Sequence, residues 1–367
     1  MSKTLIPKER GAGETRVATT PETVAKLMAL GQEVEIERGA GEAAHFPDEA
    51  YAASGASIVD SSGESWRHAD LVLKVGALAT GDDGDEVARL AEGSVVIGLL
   101  APFDHHRTVR RLAAGGVTSL SLELLPRVTK AQSMDVLSSQ ANIAGYRAAV
   151  MAALRLDRYF PLLMTAAGTV RPAKVVVIGA GVAGLQALAT ARRLGAVVEV
   201  SDIRPEVEEQ VESLGGHFIP LPETEEDGAG TGGYAREMGA DFLRRQREIL
   251  KQHLAAANVV ITTAAVPGKP APRIIDLAAE RGGNCELTRA DEEVESGGVL
   301  ILGPTNLAAG MAHDASLLYA RNLLALVEHL SGEDGIAIDA EDEIVRGLLL
   351  THDGEIRQPG FAEEDSP

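Results

Sequence analysis

The stretch Lys174 to Arg204, KVVVIGAGVAGLQALATARRLGAVVEVSDIR, constrains this chain more than any other. It reads as strand, tight glycine turn, helix and second strand, closed by an acid. Val175 to Ile178 form a short β-branched run suited to a buried parallel strand. Gly179, Gly181 and Gly184 then fit the spacing GxGxxG. The first glycine permits the sharp turn, the second lets a pyrophosphate approach the backbone, and the third lets the helix lie close on the strand. The helix opens at Val182, where free N–H groups and the positive dipole end face the phosphates. Asp202 lies eighteen positions after Gly184, the distance expected of a carboxylate that grips the adenosine ribose hydroxyls. A carboxylate there repels a 2′-phosphate, so the pattern favours NAD over NADP. Ile203 and Arg204 follow it. Arg204 can lay its guanidinium over the adenine or pair with Asp202.

Length and composition bound the rest. The 367 residues are enough for two domains, and a hydrophobic fraction of 45% supports large cores. A formal net charge of −20 argues against nucleic acid or an anionic membrane surface as a partner. Cys285 is the single cysteine, so no internal disulfide forms and a reducing compartment fits. The N-terminal MSKTLIPKERGAGE lacks an apolar stretch of signal-peptide length. No transmembrane span is visible, so a membrane role must come through a partner.

Along the chain, KTLIP, EVEIE (Glu33 to Glu37), LVLKV (Leu71 to Val75), SVVIGLL (Ser94 to Leu100) and TSLSLE (Thr118 to Glu123) are strand candidates separated by helical or loop lengths. Thr20-Pro21 starts a helix that Gly31 ends. Ala131 to Leu156 reads as one long helix bridging two domains, followed by a loop PLLMTAAGTVRPAK. NVVITTA (Asn258 to Ala264) and RIIDLA (Arg273 to Ala278) are later strands. Between them and the fingerprint, Glu223 to Gly233 is acidic and glycine-rich, a mobile surface loop by composition. Ala315 to Leu330 is an amphipathic helix, and the tail after Gln358 is expected to fray. The fold class is α/β with two Rossmann-like domains on parallel sheets. The second holds the dinucleotide and the C-terminal helix returns to the first. The boundaries expected are 1–137 plus about 308–367 for a scaffold and dimer domain, and 138–307 for the dinucleotide domain.

Several motifs coincide: RVATTPETVAKL, ADLVLKV, RVTKAQSMDVLSSQANIAGYRA, FPLLMTAAGT, GAGVAG, ITTAAVPGKPAP, DLAAERGGNCE and LYARNLL. Together they resemble the soluble NAD(H)-binding component of proton-translocating NAD(P) transhydrogenase, over nearly the whole chain. Alanine dehydrogenase is a more distant cousin. The resemblance implies direct, Si/Re-specific hydride transfer between NADH here and NADP(H) on a partner subunit, coupled to proton translocation by a membrane-spanning subunit. It also implies a homodimer, activity only with partners, and a cytoplasmic location at the inner membrane through them. An alanine dehydrogenase places a lysine and a histidine beside the nicotinamide. Lys74 matches that lysine. The histidine position near Leu100 holds leucine and alanine, and His105 and His106 follow in what looks like a helix start. A self-contained dehydrogenase and a non-catalytic NAD-binding relative are the alternatives.

Transhydrogenation needs two oriented rings and excluded water, not an acid–base pair, a triad or a metal. The resemblance assigns PRVTKAQSMD to the nicotinamide end of NAD: Gln132 and Ser138 as hydrogen-bond partners, Arg127 and Asp135 as a charged pair. Read from residues alone, the same stretch also fits a capped helix start with an ion pair. Gly233 and Tyr234 match the family's mobile loop that closes over nucleotide, and Gln246 and Ala265 match positions near it. Cys285, in GGNCE, reads as packing. One departure stands out. Only some eight residues separate Ala264 from Arg273, whereas a parallel crossover needs about a dozen or more. RIIDLA therefore pairs differently, is reached by a loop without a helix, or marks a true deletion.

Overall fold

The computed structural model describes residues 2–60, 63–81, 84–221, 240–263, 273–332 and 335–361. The alternating apolar stretches of the N-terminal part become β1 (Ser2–Ile6), β2 (Gln32–Glu37), β3 (Ser57–Val59), β4 (Leu71–Leu73), β5 (Val95–Gly98) and β6 (Thr118–Ser121). They pair in parallel in the spatial order 6-5-4-1-2-3. The next segment supplies β7 (Leu163–Thr165), β8 (Gly168–Val170), β9 (Lys174–Ile178), β10 (Val197–Ser201), β11 (His217–Phe218), β12 (Val259–Thr262), β13 (Arg273–Asp276), β14 (Glu293–Ser296) and β15 (Val299–Leu302). The C-terminal part adds β16 (Ser331–Gly332), β17 (Gly335–Ile336), β18 (Leu349–His352) and β19 (Glu355–Ile356). Two units result, Met1–Gln140 with Ala309–Pro367, and Ala141–Ala308.

In the first unit β18 and β19 extend the parallel sheet beyond β6 as antiparallel strands, giving eight in all. The helix Ala312–Leu330 returns to this unit, as its amphipathic pattern predicts. It buries Tyr319, Leu323, Val327 and Leu330 among Val24, Leu27, Leu73 and Ile97. Each such aliphatic side chain removed from water contributes about 1.5–3 kcal/mol. Tyr319 donates its hydroxyl to the carbonyl of Lys74 at 2.7 Å, which ties the helix to the carboxyl end of β4. The tail does not fray at Gln358. Pro359–Phe361 forms a helical turn, and Phe361 is buried with its ring against Phe103 and His106.

The second unit carries a sheet in the order 11-10-9-12-13-15-14, parallel except for β14. Both sheets are thus mainly parallel and mixed at one edge, not purely parallel as expected. β14 and β15 form a hairpin about Gly297 and Gly298, whose φ values of 57° and 77° suit a tight turn. The pair of glycines between two short apolar runs was its sequence signal. β13 lies parallel beside β12, with Val260 opposite Ile274, so RIID occupies its ordinary place in the sheet. Ten residues, 263–272, make that return.

Two further expectations change. The bridging helix is divided: Thr129–Met134 is a 3-10 turn, the backbone breaks at Asp135, and the α-helix proper runs Val136–Arg155. The break arises because the Asp135 carboxylate accepts the N–H of Ser138 at 2.9 Å, as a helix N-cap does. The loop after this helix contains the β7–β8 hairpin. Within the second unit the helix packs through Ala148, Ala149 and Ala152. Gly145 is required there: a Cβ on it would stand 2.1 Å from the carbonyl oxygen of Ala183.

Candidate dinucleotide-binding site

β9 begins the second sheet. The chain then winds through β10 and β11 on one side and crosses to β12 on the other. The carboxyl end of β9 is therefore a topological switch point, where open α/β sheets hold ligands. Gly179 to Gly184 sits there.

Each glycine of the turn has its own physical reason. Gly179 has φ +98°, a conformation that side-chain-bearing residues avoid. Gly184 is a packing glycine, since a Cβ would lie 1.8 Å from the carbonyl oxygen of Gly179. Gly181 is neither. Its φ of −77° suits any residue, and an added Cβ would meet nothing within 4 Å. It caps the helix Val182–Arg193, and Val182 is exposed at that helix's first position. The chain itself gives no reason for glycine at 181; a phosphate resting on the backbone does. The residues present thus fit a dinucleotide.

Asp202 is buried just beyond β10. Its Oδ2 accepts the N–H of Ala180 at 2.7 Å and Nη2 of Arg204 at 2.8 Å; its Oδ1 accepts N and Nε of Arg204, each at 2.9 Å. Burial alone would push this carboxyl up. The Arg204 guanidinium, with the N–H groups of Ala180 and Arg204, outweighs burial and holds it below the usual aspartate range. Of the two roles open to Arg204, the structure shows the ion pair. Ile203 is half-buried between them.

The structure brings the three glycines, Asp202 and Arg204 together. In the first unit, Ser138 donates its hydroxyl to Asp135 Oδ2 at 2.6 Å, while Gln132 and Arg127 are exposed. Gln246 is buried on the helix Ala240–Ala255. Gly233, Tyr234 and Ala265 lie outside the described residues, as does the acidic loop from Glu223. Sequence reasoning passed over Thr263 and Asp276, both at carboxyl ends of strands. Their signal was a hydroxyl and an acid closing NVVITT and RIID, next to the strand that bears the fingerprint. Cys285 packs beside Ile249 and Val294, and its N–H donates to Asp276 at 3.2 Å.

Lys74 is 1% exposed between Glu9 and Glu86, with its ammonium 3.2 and 3.1 Å from their carboxylates. Burial would lower its pKa, but the two carboxylates outweigh burial and raise it, so Lys74 stays charged. His105 and His106 sit at the start of the helix His106–Ala114. Leu100, where a dehydrogenase histidine was sought, is buried and donates its N–H to Glu123.

Fold and turn together define a two-unit α/β protein of the Rossmann dinucleotide-binding class. Residues 5–144 match the alanine dehydrogenase/PNT N-terminal domain and residues 148–359 the C-terminal domain. The first portion of the NAD(P) transhydrogenase alpha subunit from Rhodospirillum rubrum, a separate chain there, is 46% identical over 98% of each chain. A transhydrogenase structure from Sinorhizobium meliloti superposes with a TM-score of 0.84 at 42% identity, over 97% of this chain and 100% of that one. An L-alanine dehydrogenase structure shares the fold at a TM-score of 0.75 and 23% identity, with 98% of each chain covered. The chain belongs to the alanine dehydrogenase/PNT family, and within it to the NAD(P) transhydrogenase alpha subunits. No helix among the described residues is long and apolar enough to cross a membrane.

Proposed function

We propose that this chain binds NAD(H) in its second unit and presents the nicotinamide for direct hydride exchange with NADP(H) held on a partner subunit. The observation that carries this reading is Gly181, a glycine that neither backbone strain nor packing requires, at the switch point of the sheet. Bound NADH supplies the hydride. The chain's own residues bind and orient. The N–H groups at the start of the helix Val182–Arg193 face the pyrophosphate, with Val182 beside it. Asp202 accepts the ribose hydroxyls. A carboxylate has about four acceptor sites, and its four bonds within the chain fill them, so ribose engagement exchanges the two guanidinium bonds of Arg204 for hydroxyl bonds and leaves the two backbone bonds in place. That frees Arg204 for the adenine face.

At the ring end Gln132 and Ser138 supply hydrogen bonds. Asp135 orients the Ser138 hydroxyl, and Arg127 adds positive charge to the same loop. Gly233, Tyr234, Gln246 and Ala265 complete the nucleotide contacts, with Gly233 and Tyr234 on a closing loop. The partners are an NADP(H)-binding subunit and a membrane-spanning subunit that couples the exchange to proton movement, and this chain joins the inner membrane through them from the cytoplasm. A homodimer is supported by an apolar stripe on the bridging helix: Tyr146, Val150 and Leu154 recur every four residues and are exposed, and Leu162 and Met164 of the segment beyond are exposed too.

The test is a titration of the purified chain with NADH, followed by addition of an NADP+-loaded partner. Hydride exchange is expected, and no reduction of pyruvate with ammonia. Robust turnover of pyruvate would establish the dehydrogenase instead. Binding without exchange would establish a non-catalytic NAD-binding protein.

A further inference from the structure

The carboxyl end of β12 faces the fingerprint turn across the switch point, and Thr263 stands there. Its N–H donates to the carbonyl of Ile178 at 2.9 Å. Its hydroxyl lies 3.1 Å from the carbonyl oxygens of both Ile178 and Gly179, sharing one proton between them. The carbonyl of Gly179 and the N–H of Ala180 belong to one planar peptide unit. That plane is gripped at both ends: the oxygen by Thr263, and the N–H by Asp202 at 2.7 Å. The same carbonyl oxygen is the atom on which Gly184 closes, and Thr263 Oγ1 is 3.3 Å from where a Gly184 Cβ would stand.

Behind Thr263 the strand end is pinned. The Thr262 hydroxyl donates to Asp276 Oδ1 at 2.9 Å. Asp276 is fully buried and also accepts the Asn284 amide at 2.8 Å, the Thr288 hydroxyl at 2.7 Å, and the backbone N–H groups of Ala278, Asn284 and Cys285. This network holds the ends of β12 and β13 together and fixes where the Thr263 hydroxyl stands.

We propose that Thr263 is a positioning residue for the dinucleotide site. Its hydroxyl sets the plane of the Gly179–Ala180 peptide, and through it the aim of the following N–H groups at the pyrophosphate. The proposal rests on the reading of this unit as the NAD(H) site. It makes no claim of contact between Thr263 and the nucleotide.

Thr263→Val removes the hydroxyl at constant shape and keeps the backbone bond to Ile178. Fluorescence titration of the whole chain is expected to show the NADH Kd raised about tenfold, and Thr263→Ser to restore it to within about twofold. With the NADP+-loaded partner, KM for NADH rises while kcat at saturating NADH holds to within about twofold, the pattern of lost uniform binding. Thr263→Ala gives the same comparison if the valine variant does not fold. A hydroxyl-free variant that binds NADH like the parent, a serine variant that fails to restore affinity, or a fall in kcat with KM unchanged overturns the proposal. A parent chain that binds no NADH overturns the assignment of the site itself.

Discussion

Replacing Gly181 and Gly184 separately by alanine divides the roles of the turn. At Gly184 the new Cβ would lie 1.8 Å from the Gly179 oxygen. Ordinary carbon–oxygen contact needs at least about 3.3 Å, so the helix must withdraw by roughly 1.5 Å. Overpacking of this kind costs about 1–3 kcal/mol or more, because the opposing atom is backbone. At Gly181 nothing within 4 Å opposes the methyl, and φ is −77°. Alanine gains about 0.4–1 kcal/mol from a less free unfolded chain. As an N-cap it loses a similar amount, so folding stability stays within about 1 kcal/mol of the parent. The methyl nevertheless occupies the space assigned to the pyrophosphate. Gly181→Ala is therefore expected to melt like the parent yet bind NADH at least about tenfold more weakly, whereas Gly184→Ala loses both stability and binding. Thermal melts with NADH fluorescence titrations check this. A Gly181→Ala protein with parental stability and parental NADH affinity would refute the placement of the phosphates on this turn.

Lys74→Met leaves Glu9 and Glu86 buried without their cation, and chemical denaturation is expected to show a loss of about 3–5 kcal/mol. The Asp202–Arg204 pair predicts a pH dependence. The folded carboxyl sits below the usual 3.8, so its contribution is full above that value and is lost as pH falls through the depressed one. Melts of the parent and Asp202→Asn should differ at pH 6 and converge in strong acid; a constant difference across that range would show that the pair adds nothing through ionisation.

Most strands of both sheets were legible because β-branched runs bounded by turn residues are a local property. The antiparallel edges were not, since β18 and β19 read like any short apolar stretch until they meet β6. The long helix was misjudged at Asp135, whose helix-compatible neighbours hide an acid that prefers to cap. The absent crossover length raised doubt about RIID, yet the parallel ladder with β12 forms all the same, because a buried Ile274–Ile275 pair fits only against that strand.

The GxGxxG turn was written in the sequence because its physics is local: a left-handed residue, an open residue and a close-packed residue at fixed spacing along one strand, turn and helix. With the motifs around it, that was enough to place the family and its cofactor. Tertiary structure decided what holds the turn in shape. Asp202 bonds Ala180 from twenty-two residues away, and Thr263 reaches the Gly179 carbonyl from eighty-four. Asp276 is silent as a letter and becomes the hub of six hydrogen bonds only when β12, β13 and the loop beyond them converge. Spacing along a chain encodes contacts within a turn or two. A hydrogen bond between distant segments depends on how strands align in the sheet, and that is settled only when the whole sheet forms.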